Sequence, residues 1–538
     1  MKKKITLPNI PEQEHTPLVK SLLVIIDQLA ERVQQQDEEI AQLKDEINIL
    51  KGEKKRPAFK GGKLDKNTNQ NSGSGKKPNK RAGSSKKKKT QKLTIHEETV
   101  VKPDTEIPEG SRFKGYRDFV VQDLHINVHN TRYRLEHWVT PENKSLTAQL
   151  PDELNNRHFG PQLRSYILYQ HHHCHTTQPK LLEQLQEWGI DISSGQINQL
   201  LLSGQTEFHA EKDAILQAGL EASSYVTVDD SGARHQGKNG YVTHIGNEFF
   251  AWFQSTDSKS RINFLSLLRA GNEDYYLSDA ALFYMKQNKL PIEPLEKLSK
   301  LQNQSYTEQD WLDLLDSLSI SKKRHLRIAT EGALLGSVLK HGLCEDLVIV
   351  SDDAGQFNIL LHALCWVHTE RLIHKMLPLN DKHRADIASV RGQIWDFYAD
   401  LKRYKSQEEL TKYDELKQRF DDIFTQKTSF ATLNSALKRI HKNKTELLLV
   451  LDRPEIPLHT NGSETAIRDY VKKRKVSGGT RSDEGRRCRD TFTSLKITCR
   501  KLGIPFWVFL TDRLGIGSQS IEPLQYIIMR RAALATGY

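Results

Sequence analysis

The chain has 538 residues, 79 Lys and Arg against 68 Asp and Glu, a formal net charge of +11, 37% hydrophobic residues and five cysteines. At roughly 100–200 residues per domain this implies three or four domains and excludes a small disulfide scaffold. No apolar run approaches the roughly 20 residues that a membrane-spanning helix needs, and five cysteines without repeated spacing fit a reducing compartment, so a cytoplasmic protein with no membrane partner is expected. The opening MKKK is followed by ITLPNIPEQEH rather than an apolar run, so export is not expected.

The charge is unevenly placed. Residues 51–92 hold sixteen Lys and Arg and two acids, a local +14, which leaves the rest of the chain slightly acidic at −3. Ahead of this stretch, Val19, Ile26, Val33, Ile40 and Ile47 fall seven apart, each followed three residues later by Leu22, Leu29, Gln36, Leu43 or Leu50. β-Branched residues at a with Leu at d favour a parallel two-stranded coiled coil, so residues 1–52 are assigned to a dimerisation helix and a homodimer through 19–50 is expected. Residues 53–93 are rich in Lys, Gly, Ser and Asn with almost no large apolar side chain, which predicts a disordered basic linker suited to phosphate contacts or to solubility alone.

Alternation in FVVQDLHINVH and RYRLEHWVT predicts a small antiparallel β unit over 94–150. Residues 151–217 read as helices, with Ser193 or Ser194 capping one that begins near Gln196, in a spacing compatible with a helix–turn–helix or with an ordinary helix pair. From Tyr225 to Phe253 three apolar runs broken at Asn239-Gly240 and Gly246-Asn247 predict a three-stranded meander, with Asp229-Asp230 on its first strand. After an extra segment at 271–344, the wholly apolar run Leu347 to Val350 suits a buried central strand ending at Asp352-Asp353. Residues 377–454 are charged and helical in pattern, an α-helical insertion that either positions a ligand or serves as scaffold. A further helix follows, capped by Asn461, with Glu464 in its first turn and Arg468 and Lys475 within about 40° of Glu464 on the helical wheel. Residues 468–501 carry twelve Lys and Arg against four acids, and Lys473, Arg474 and Lys475 lie one to three turns beyond Glu464.

Each acidic position alone has a structural explanation as a turn or a cap. Their combination carries chemistry: three carboxylates brought together repel one another, and divalent cations relieve that repulsion while activating phosphodiester transfer. The strings VDDSGARHQGKNGYVTHIG, VSDDAGQF…CWVHTER and NGSETAIRDYVKKRKVSGG…SLKITCRKLG resemble the transposases of the insertion sequence 66 family, over roughly residues 160–515. The resemblance implies an α/β ribonuclease-H-like catalytic core in two parts, 218–376 and 455–515, followed by a tail at 516–538. It implies an Asp-Asp-Glu triad on Asp229, Asp352 and Glu464, with Asp230 and Asp353 as the alternatives within each doublet.

It further implies Mg²⁺ as cofactor with Mn²⁺ as substitute. The DNA partners would be the element's terminal repeats and a target, with accessory transposition proteins beside them and a nucleoid-associated location. Arg468, Lys473, Arg474 and Lys475 would contact DNA, and Cys365 and His368, just after the second Asp, would support the site. Zinc is not expected, because Cys365 and His368 have half of a four-ligand set and no cysteine precedes Cys174. The activity implied is strand cleavage at the element's ends and joining of 3′-hydroxyls to target DNA. A catalytically idle DNA-binding regulator of the same ancestry and another ribonuclease-H-like nuclease are the other readings.

Overall fold

Strand-forming runs rich in Val, Ile, Thr and aromatic residues build the centre of the protein. In the computed structural model the described residues are 93–151, 154, 158–342, 346–407 and 412–536, with scattered positions between 16 and 36. Of the heptad, Val19, Ile26, Leu29, Val33 and Gln36 are described and helical. The other heptad positions and the linker over 53–92 lie outside the described residues. No described helix is long and apolar enough to cross a membrane.

The chain divides into two compact units, 45–132 and the remainder. In the first, residues 93–132 contain no strand or helix. The β unit expected over 94–150 is thus reduced, in the second unit, to one hairpin of β1 (His137–Val139) and β2 (Ser145–Thr147). Alternation favours a strand chiefly where one face can be buried. Here Phe119, Val121 and Leu124 are all exposed, so the FVVQDLHINVH run has no layer to pack on.

The helical region follows as α1 (Pro161–Leu168), a π-helical turn (Tyr169–His173), α2 (Gln178–Glu187), α3 (Ser194–Leu202) and α4 (Thr206–Glu221). Ser193 caps α3 in a reciprocal box: its Oγ accepts from Gln196 N at 3.3 Å, and its own N–H donates to Gln196 Oε1 at 2.8 Å. No Lys or Arg lies on α3.

A mixed five-stranded sheet has the order β5-β4-β3-β8-β9. β3 (Tyr225–Gly232), β4 (Tyr241–Gly246) and β5 (Ala251–Thr256) form the expected meander. β8 (Val348–Ser351) is central, parallel to β3 on one side and to β9 (Leu361–Leu364) on the other. Strand β9 had no counterpart in the sequence reading. Parallel neighbours require a crossover, and the extra segment after α5 (Arg261–Leu268) supplies it: β6 (Tyr275–Tyr276), α6 (Asp279–Gln287), α7 (Ile292–Ser299), β7 (Ser305–Tyr306), α8 (Glu308–Ser317) and α9 (Lys323–Lys340). Ile328, Ala329, Ala333, Leu334 and Val338 of α9 join Val226, Val228 and Ile349 in one core, so this segment covers a sheet face. Gly336 lets α9 lie close against β6, since a Cβ there would meet Tyr276 O at 2.1 Å.

On the opposite face two layers meet. α10 (Trp366–His374), α11 (Asp381–Gln407), α12 (Tyr413–Thr425), α13 (Ala431–Lys442) and α14 (Lys444–Leu448) form a second core with Val348, Val350, Ala363 and Leu364. The helical insertion is therefore a layer of the sheet rather than an appendage. Beside it, α15 (Asn461–Ser477) and α16 (Asp483–Lys501) bury Ala466, Ile467, Tyr470 and Ile497 against Val242, Ala251 and Phe253. The helices α17 (Phe506–Arg513) and α18 (Leu524–Thr536) complete the first core.

Helix α16 also closes the sheet at β5. Ala251 N donates to Thr498 Oγ1 at 3.1 Å, Phe253 N to Ser494 Oγ at 2.9 Å and Ser255 N to Asp490 Oδ2 at 2.7 Å. Two strand residues advance ~6.6 Å and four helical residues ~6 Å, so side chains four apart on α16 match alternate N–H groups on β5.

Candidate active site

Register decides which acids meet. β3 and β8 pair Tyr225 with Val348, Val226 with Ile349 and Thr227 with Val350. Continuing that offset past the end of β8 sets Asp229 beside Asp352, on neighbouring strands whose usual separation is ~4.8 Å. Side chains alternate along β3: Val226 and Val228 enter the first core, whereas Thr227 accepts a hydrogen bond from Ser463 Oγ of α15 at 2.6 Å. Asp229 shares the face of Thr227, and Glu464 follows Ser463. The site thus lies on the seam between the insertion layer and α15.

The doublets are distinguished by their partners. Asp230 accepts from Thr243 Oγ1 at 2.6 Å and Gln356 Nε2 at 2.9 Å, so its charge is bound within the fold. Asp353 accepts from Arg439 of α13 and, at 3.4 Å, from Asn443 Nδ2. Asp229 accepts only from the neighbouring Asp230 N, at 2.8 Å, and Asp352 from Ala354 N, at 3.2 Å. Burial, then the charge of Asp352, pushes the Asp229 carboxyl up to about 6 against the opposing hydrogen bond from Asp230 N.

Glu464 is gripped by Arg371 of α10, with Nη1 at 2.8 Å from Oε1 and Nη2 at 3.3 Å from Oε2. His368 Nε2 lies 3.5 Å from Glu464 Oε1. The neighbouring Cys365 raises the His368 pKa most, with Glu464 adding to it against the effect of burial. Burial pushes the Cys365 thiol up, but His368 and the Thr460 N–H, 3.3 Å from Sγ, bring it below its ordinary value. The supporting pair expected from sequence is thus in contact with the Glu-bearing helix. Arg371 was missed, although it lies three residues after His368 in the same CWVHTER string and hence on the same helical face.

The basic stretch separates into inward and outward residues. Arg468 and Lys475 are exposed and Arg474 half-buried. Lys473 is 3% exposed and donates to His171 O of the π-helical turn, so its assignment as a DNA contact is corrected: no phosphate reaches it. Burial, with Arg489 and Lys496 nearby, lowers it to about 7. One smaller expectation also changes. Helix α15 starts at Asn461 itself, after Thr460, and Asn461 is not its cap. Gly478 ends the helix at φ +69°, and Gly479 allows a close approach to Arg234 O, which a Cβ would meet at 2.6 Å.

Among the described residues no group of three or more His, Cys, Asp or Glu side chains stands close enough to hold a metal ion. Asp229 and Asp352 do fit a cation, being adjacent carboxylates poor in donors, with one raised by burial and mutual repulsion. Glu464 is paired with Arg371.

A family model described as "Transposase IS66 family" matches residues 334–487. That span contains Asp352, Cys365, His368, Arg371 and Glu464, and leaves Asp229 outside. The chain is also 43% identical over 321 residues, 59% of its length, to the whole of "Uncharacterized protein y4jO" of Sinorhizobium fredii (strain NBRC 101917 / NGR234). The chain belongs to the IS66 transposase family, whose members act on DNA.

Proposed function

We propose that this transposase cleaves DNA at the ends of its element and joins the freed 3′-hydroxyls to target DNA, using Asp229, Asp352 and Glu464 on a ribonuclease-H-like core. The observation that carries the reading is the parallel register of β3 and β8, which extended two residues past its last pair aligns Asp229 with Asp352, next to the helix bearing Glu464. The sheet order, with a three-stranded meander joined to two parallel strands, supports the fold assignment.

Asp229 and Asp352 would hold Mg²⁺, or Mn²⁺ in its place, with Glu464 joining once Arg371 releases it. When bound, the metal would lower the charge barrier to attack on the phosphodiester. The protein's own groups do the rest. His368 orients the Glu464 carboxylate, and the exposed Arg468 and Lys475 on the same helix face hold the DNA backbone as charge-assisted donors. The heptad at 19–50 would pair two copies, the 53–93 linker would add sequence-independent affinity, and accessory transposition proteins complete the expected set of partners.

The test incubates the full chain and Mg²⁺ with duplexes carrying the inverted repeats that flank its coding sequence. Nicks at the repeat boundary that vanish with EDTA are expected. Binding without cleavage indicates an idle regulator, and cleavage indifferent to the repeats indicates a nuclease of another purpose; either result overturns the proposal.

A further inference from the structure

A cavity of about 440 Å³ opens beside Asp352, between α10 and α13. Leu372, Ile440 and Leu447 give it an apolar wall, Arg371, Lys375 and Arg439 bring three cationic groups to it from both helices, and Asp352 and Asp353 add two carboxylates at one side. A sphere of that volume is about 9 Å across, far narrower than a duplex whose major groove alone is ~12 Å wide, so no duplex can enter. An apolar wall with several cations and one amide, Asn443, matches the parts of a single nucleotide: a flat base, a polar edge and a phosphate.

The cations are available for exchange. Arg371 rests on Glu464 and Arg439 on Asp353, and both arginine side chains are substantially exposed. The Arg439–Asp353 pair, exposed on both sides, is of the kind that contributes only ~0–1 kcal/mol, so a phosphate can replace the Asp353 carboxylate at little cost. Arg371 borders both the cavity and the proposed catalytic Glu464, and Asp352 itself lines the cavity, so it adjoins the proposed reaction site.

We propose that this cavity receives one unpaired nucleotide of the DNA strand being processed, its base against Leu372, Ile440 and Leu447 and its phosphate on Arg371, Lys375 and Arg439. The proposal rests on the transposase site described above and adds a subsite to it. It assigns the insertion layer a direct part in substrate recognition through α13.

The test measures fluorescence anisotropy of the full chain on two terminal-repeat duplexes, one blunt and one with a single unpaired 3′ nucleotide. The extended duplex should bind about tenfold tighter. Leu372→Trp, which fills the cavity from a partly exposed position, and Arg439→Ala, on a largely exposed side chain, should each reduce that preference to less than twofold. Leu372→Met should keep it. Equal binding of the two duplexes by a protein that still nicks the repeat boundary would overturn the cavity assignment alone. Failure to nick at all would count against the transposase chemistry, and a retained preference lost in Leu372→Trp would still support the cavity. Competition by deoxyadenosine monophosphate distinguishes a free nucleotide from a strand: displacement at micromolar concentration would overturn the strand assignment, and its absence up to millimolar supports it.

Discussion

Asp229 and Asp230 are neighbours with opposite environments, and the difference is testable. Asp229→Asn and Glu464→Gln should each lower repeat-end nicking by at least ~10²-fold, the scale of losing a ligand worth several kcal/mol. Asp230→Asn keeps hydrogen-bonding capacity toward Thr243 and Gln356 and should retain more than a tenth of the activity, measured by the same nicking assay. Lys473 gives a second residue-scale prediction. Its pKa is about 7 in the fold against an ordinary 10.5, so the unfolded chain binds more protons across that interval. Stability should therefore rise with pH from about 7 to 10, and Lys473→Met should flatten the rise in denaturant midpoints. The three acids were legible as motifs, but the choice within each doublet was not, because it depends on a strand offset that no local pattern encodes. Lys473 was legible after all: nine residues beyond Glu464 is about 180° around a helix, which turns it inward.

At the scale of elements, composition and turn chemistry predicted β3, β4, β5 and β8, since the Asn-Gly and Gly-Asn turns punctuate apolar runs. Strand β9 is four residues, LHAL, and too short to carry an alternation. The run at 119–129 shows the converse, where a longer alternation found no layer to bury its apolar side. The seam between β5 and α16 is invisible to hydropathy because its contacts are hydroxyls and a carboxylate. Ser494→Ala would leave the Phe253 N–H without its acceptor and should lower stability by about 1–3 kcal/mol in chemical denaturation. A loss no greater than that of an exposed Ser→Ala change would contradict the assigned role.

Across the whole molecule, the net +11 resolves into separate tasks. The +14 of residues 51–92 is concentrated in one block of the sequence, whereas the basic stretch at 468–501 is divided, with Lys473, Arg489 and Lys496 buried and Arg468, Lys472 and Lys475 outward. Domain boundaries read from sequence located the insertion but not its integration, because Val348 and Val350 serve its core while belonging to the five-stranded sheet. If the heptad pairs two copies, Ile26→Asp with Val33→Asp should halve the mass measured by light scattering and leave the helical content of the core in place; an unchanged mass would remove 19–50 as the dimer contact. Two copies tethered on one DNA fragment would face each other at high local concentration, where any open strand edge invites cross-pairing between chains. The ladder of Asp490, Ser494 and Thr498 along β5 closes that route on one side of the sheet. Crowding on DNA can then raise encounters between copies without recruiting β5 into an intermolecular sheet.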